Sequence, residues 1–138
     1  MRLLISTIKI TNDLERIGDL AKISLSWSLA TMEKAERIID FAALTAKVKW
    51  MVRIGLEAMI ALDSQMACDV CNSDDEVDEQ FRLIKEKVIS ELGKGNSNVR
   101  ALIIELTISD YMESIADHAK KICEDVVYTV DAEVIRHS

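Results

Sequence analysis

No proline interrupts the 138 residues, and only four glycines do. A chain with so few breakers and with long helix-periodic runs reads as all-α. The three cysteines, Cys68, Cys71 and Cys123, are odd in number and too few for a disulfide framework, which favours a reducing compartment. Cys68 and Cys71 form a CxxC, but no second pair completes a four-cysteine zinc site, and they read as helix cysteines. Positive charge is also short: 17 Lys and Arg stand against 24 Asp and Glu, a net charge of -7. Such a surface attracts neither nucleic acid nor anionic lipid and suits cations or basic partners. No run of about 18 uncharged apolar residues occurs, so no membrane insertion is expected. Met1 to Ile10 contains Arg2 and Lys9 and leads into a charged helix without a small-residue cleavage site, unlike a secretory leader.

What is present is 49% hydrophobic and 30% charged, a globular profile. Apolar residues recur with the helical period in four stretches, so the expected class is all-α. The first stretch runs from about Leu3 to Leu29, with Leu4, Ile5, Ile8, Leu14, Ile17, Ala21 and Leu25 on its apolar side. No breaker marks its end between Thr31 and Asp40. The second covers about Phe41 to Val70 along Leu44, Val48, Met51, Val52, Gly55, Met59 and Leu62, with Gly55 expected at a close helix crossing. Ser73 and Glu76 then read as a capping box opening the third, Asp74 to Leu92, which buries Val77, Phe81, Ile84 and Val88 and ends at Gly93. Asn96 or Ser97 is expected to cap the fourth, from about Asn98 to Val130 or slightly beyond. Its apolar side runs Leu102, Leu106, Ile108, Met112, Ile115, Ala119, Ile122, Val126 and Val130. The last three stretches suffice for an antiparallel three-helix bundle.

The first and fourth stretches repeat one another at an offset of 98 residues. Eight positions agree between residues 3–22 and 101–120, among them Glu15/Glu113, Asp19/Asp117, Ala21/Ala119 and Lys22/Lys120. A shared helical period explains matching apolar residues but not matching acids. A three-helix unit ending in such a helix is expected twice. Residues 1–31 then form the last helix of an incomplete first repeat, and residues 32–138 a complete second one. The apolar side of the first helix has to be covered by the following bundle or by another copy of the chain.

Glu15 and Asp19 lie one helical turn apart, with Asn12 a turn earlier. Glu113 and Asp117 repeat the pair, with Asp110 a turn earlier. Carboxylates at i, i+4 repel by a few tenths of a kcal/mol unless a cation lies between them. All-oxygen donors suit Mg, Mn or Fe ions. His118 adjoins Asp117 as a possible nitrogen donor, and Asp74 with Asp78 repeats the spacing at the start of the third helix, where a helix N-terminus also favours acids. The other reading is a solvated face, its acids paired with Arg16, Lys22, Lys120 and Lys121. Spacing alone leaves both open.

The segment Asp13-Leu14-Glu15-Arg16-Ile17-Gly18-Asp19-Leu20-Ala21 resembles the signature of PhoU proteins, an acid-x-x-x-Asp motif on the third helix of each repeat. Tyr111-Met112-Glu113-Ser114-Ile115-Ala116-Asp117-His118-Ala119 resembles the second copy, departing at Ser114 and Ala116 where Arg and Gly are usual. Asp75 to Asp78, Glu124 to Tyr128 and Ile135 to His137 are also similar to the family. The resemblance implies a six-helix, two-repeat fold of which this chain matches the last four helices. It implies a cytoplasmic regulator at the inner face of the membrane, acting on the phosphate ABC transporter ATPase and the phosphate-sensing histidine kinase. It further implies metal held by Glu15, Asp19, Glu113 and Asp117, and a homo-oligomer. A structural helical-bundle protein without metal is the alternative. A di-metal carboxylate oxidase requires Glu-x-x-His, which is absent from the sequence, and no Gly-rich phosphate loop or HExxH is present, so no enzyme is expected.

Overall fold

Unbroken periodicity over 20 to 40 residues leaves the backbone no reason to leave the helix until a cap or a left-handed residue intervenes. The computed structural model describes residues 2–32, 38–95 and 98–137, with side chains for 4–26, 38–95 and 98–132. Among these residues there are five helices and no strand: α1 (Arg2–Met32), α2 (Ala42–Ala61), α3 (Ser64–Asn72), α4 (Asp74–Gly93) and α5 (Val99–His137). The all-α expectation holds. No helix among the described residues is long and apolar enough to cross a membrane.

Three boundary expectations are corrected. The stretch from Phe41 to Val70 is two helices, because Leu62 adopts a left-handed conformation (φ 51°) and Asp63 caps α3 by accepting the Met66 N–H at 3.0 Å. Ser73 is not the N-cap of a capping box. It is helical (φ -80°, ψ -6°), its hydroxyl donates back to the Val70 carbonyl at 2.7 Å, and Glu76 pairs with Lys47 instead. Ser73 therefore joins α3 to α4 with hardly a break. The left-handed glycine after α4 is Gly95 (φ 71°), not Gly93, which still belongs to the last turn. Asn96 and Ser97 lie outside the described residues. Asn98 accepts the Ala101 N–H at 3.2 Å and caps α5.

Helix α5 is the hub against which α1, α2, α3 and α4 all pack. Its own sequence suits that role, with Leu102, Ile108, Ile115, Ala119, Ile122 and Val126 all buried. Val77, Phe81, Ile84 and Val88 bury as expected on α4, and Leu44, Val48 and Met51 on α2. Gly55 lies where α2 crosses α5: a Cβ there would stand 3.2 Å from Cys123 Sγ and 3.8 Å from the Ala119 carbonyl oxygen. Cys123 is buried, which pushes its thiol up to about 12.

Helix α1 contacts α5 alone among the described residues. The two run antiparallel, since Lys9 approaches Asp125 at 3.9 Å and Asp13 meets His118 at 2.6 Å. Nearer the start of α1, the Ser6 and Thr129 hydroxyls are 3.1 Å apart. Thr129 donates to the Asp125 carbonyl and so accepts from Ser6. The expected buried side of α1 is corrected by this docking. Among its described side chains Ser6, Leu20 and Ser24 are buried, while Leu4, Ile5, Ile8 and Leu25 are exposed. A single neighbouring helix covers a strip narrower than α1's apolar side.

Candidate metal centre

Helix α4 begins with Asp74, Asp75 and Glu76, which suit the positive end of its dipole. One turn on, Asp78 faces α5 where Glu113 and Asp117 emerge. The two helices thereby bring acids from separate parts of the sequence within electrostatic reach. Loss of solvent pushes the Glu113 carboxyl above its usual range, and Asp78, Asp110 and Asp117 push it further, against the opposing Lys85. Asp78 is raised in the same way, first by loss of solvent and then by Asp74 and Asp75. Carboxylates crowded by other acids in this way suit a cation by charge.

Two of these acids already hold lysines. Lys120 donates to Asp74 at 2.8 Å, and Lys121 reaches Asp117 at 3.0 Å on the same helix. The carboxylates hold both ammonium groups above their usual range. As they stand, no three His, Cys, Asp or Glu side chains among the described residues converge closely enough to surround one ion. The donor set on α4 and α5 fits a hard cation by chemistry, being all oxygen and mutually repulsive, and taking one requires Lys120 and Lys121 to give way.

The other candidates fall elsewhere. Glu15 and Asp19 are exposed on α1 and make no ion pair among the described residues. Asn12 lies beside Lys9, Lys121 and Glu124 in a shallow cleft along the α1–α5 seam. His118 turns to α1, where its Nδ1 meets the Asp13 carboxylate at 2.6 Å. A carboxylate oxygen only accepts, so that nitrogen carries the proton. Asp13 had no signal of its own in the sequence, since its spacing to Asp19 and Glu15 is unremarkable, and only the crossing of α1 over α5 picks it out. Of the CxxC, Cys71 points at the Lys120 carbonyl at 3.9 Å, and burial raises its thiol.

A family model described as the PhoU domain matches residues 41–126. A phosphate-specific transport system accessory protein PhoU homolog of Clostridium acetobutylicum is 29% identical over 137 residues, covering 98% of this chain and 63% of its own length. The PhoU homolog 1 of Thermotoga maritima is 30% identical over 134 residues, 93% of this chain and 56% of its own. The crystal structure of PhoU from Pseudomonas aeruginosa shares the fold with a TM-score of 0.89 at 27% identity, over 95% of this chain and 64% of that one. The chain thus spans 56% to 64% of the length of these proteins. With the family model covering most of its residues and nearly all of its helices superimposing on a PhoU structure, this chain belongs to the PhoU family.

Proposed function

We propose that the chain is a non-enzymatic regulator of phosphate uptake and phosphate-starvation signalling. It acts in the cytoplasm, at the inner face of the membrane, on the phosphate ABC transporter ATPase and its sensor kinase. Metal of the Mg, Mn or Fe type is held by Glu113 and Asp117 together with Asp78, and by Asp74 once Lys120 has moved. The metal supplies cross-linking charge between α4 and α5, and its role is structural. Glu15 and Asp19 form a second, weaker position that needs acids from another chain segment. The names of the relatives, accessory proteins of phosphate-specific transport, support the regulatory part. The observation that carries the metal part is the meeting of acids from two helices: besides loss of solvent, Asp78 on α4 pushes the Glu113 carboxyl up, and Asp117 on α5 pushes Asp78 up.

Elemental analysis of protein purified without chelator tests it. At least one metal per chain is expected, and Glu113→Ala with Asp117→Ala removes it. Sub-stoichiometric metal, unchanged in that variant, sinks the metal claim. Co-purification of the transporter ATPase or the kinase cytoplasmic domain above background is the expected regulatory readout. A second reading, a structural helical protein without metal, draws on the Lys120–Asp74 and Lys121–Asp117 pairs, which neutralise two of the acids unaided.

A further inference from the structure

A seam runs along α4 and α5, and its two sides are fixed where Asp78 and Lys85 lie near Glu113. On α4 the same side continues by helical steps from Asp78 and Lys85 to Ile89 and Leu92. On α5 it continues from Glu113 and Asp110 to Leu106, Ile103 and Val99. The seam therefore turns from acidic to apolar as it nears the connection between the two helices. Ile89, Leu92, Val99 and Ile103 are exposed there, by 42% to 68%. Four large aliphatic side chains in water at one end of a bundle mark a contact surface.

The internal repeat does not cover this end. α1 is the counterpart of α5, and α2, α3 and α4 make no contact with α1 among the described residues. Helices of a first unit, placed by the same rule, lie on α1 and leave this end of α4 and α5 open. Charge says what the end suits. Residues 82–103 hold five Lys and Arg against two Glu, while the rest of the chain holds the other 12 against 22 acids. The net charge of -7 thus conceals a basic end. Both of its acids are paired, Glu86 with Arg82 and Glu91 with Lys94. Lys87 and Arg100 are exposed and make no ion pair among the described residues. Depth agrees with charge. Ile89 and Ile103 stand one turn inside the helix ends at Gly93 and Val99, about 6 Å by helical rise. Asp110 stands about 16 Å inside. An interfacial element sinks roughly 5–10 Å into the boundary between headgroups and acyl chains. That depth takes in all four aliphatic side chains and stops short of the acidic half of the seam.

We propose that the α4–α5 end of the bundle docks on an anionic lipid bilayer. Ile89, Leu92, Val99 and Ile103 enter the headgroup boundary, and Lys87 and Arg100 meet lipid phosphates. The chain lies on the surface without spanning it. This deepens the proposed placement at the inner face of the membrane, and rests on that reading for which membrane is met.

The test is flotation of the purified chain, in chelator, with vesicles of phosphatidylcholine alone or with about one-third phosphatidylglycerol. Binding to the phosphatidylglycerol vesicles is expected to be about tenfold tighter than to phosphatidylcholine and to weaken with salt. Ile89→Ser with Ile103→Ser, and separately Lys87→Glu with Arg100→Glu, are each expected to cut it about tenfold. Ile60→Ser, also exposed but at the far end of α2, leaves it unchanged. All the replaced residues are exposed, and circular dichroism confirms that the variants keep their helices. No binding, equal binding to both kinds of vesicle, or binding that survives either double variant overturns the proposal. So does binding that appears only when Mg replaces chelator and is lost in Glu113→Ala, which assigns the contact to a metal bridge. Light scattering that finds a dimer split by Ile89→Ser with Ile103→Ser also overturns it, by assigning the end to a second copy. The vesicles hold no transporter or kinase, so failure here leaves the regulatory reading standing, and failed co-purification leaves this one standing.

Discussion

Glu113 is partly buried and has Asp78, Asp110 and Asp117 for neighbours. Its folded carboxyl is raised above the ordinary 4.5, so the folded state holds its proton more tightly than the unfolded one. The stabilising contribution of that proton is complete below the ordinary value and is lost as pH rises through the folded one. In chelator, Glu113→Gln is therefore expected to raise the urea midpoint at pH 7, and the gain should vanish below about pH 4.5. A variant no more stable than the parent at pH 7 contradicts the crowding of these acids. Asp13 and His118 supply the bond between α1 and α5 that no residue pattern announced. Replacing either one is expected to cost roughly 1–2 kcal/mol. A double-mutant cycle for Asp13→Asn with His118→Ala measures the coupling, and additive losses mean the two groups act independently. The sequence pointed to His118 as a neighbour of Asp117, but its partner lies 105 residues away, where linear spacing carries no information.

At the scale of elements, the break after Ala61 is the feature the sequence concealed. Neither Leu62 nor Asp63 looks like a stop inside an apolar run, yet Leu62 is left-handed and Asp63 caps α3. Asp63→Ala is expected to lose about 1 kcal/mol of stability with the cap. Leu62→Gly removes a backbone cost of about 1 kcal/mol and is expected to leave stability level or higher in denaturant titration. A loss above that size places the value of Leu62 in its side chain, which is exposed. Gly55 was legible as a crossing point because a glycine inside a helix costs too much to stand idle. Gly55→Val adds bulk against Cys123 and the Ala119 carbonyl and is expected to destabilise by about 1–3 kcal/mol. The buried side of α4 was read correctly from period alone: Val77, Phe81, Ile84 and Val88 recur with the helical period and are buried, while Leu83, Ile89 and Leu92 fall off that stripe and are exposed.

At the scale of the whole molecule, the repeat gives matched residues unmatched surroundings. Leu102 is fully buried and Leu4 is 65% exposed, although they occupy the same place in the motif. Helix α5 has four helical neighbours and α1 has one among the described residues. Leu102→Ala is therefore expected to cost about 2–5 kcal/mol, while Leu4→Ala is expected to stay within about 0.5 kcal/mol, both read by urea unfolding. Equal losses mean that α1 is covered in solution by something that packs on it as α2 packs on α5.

Helix content, the order of the long elements, the core stripe of α4 and the 98-residue repeat of paired acids were determined by the sequence alone. They rest on local period and composition, which a chain carries wherever it folds. Which side of α1 is buried, where the second stretch breaks, that His118 turns to Asp13, and that Asp78 confronts Glu113 were decided by tertiary structure. Each depends on which helices cross and at what height, and residues far apart in the chain acquire their neighbours only through that packing.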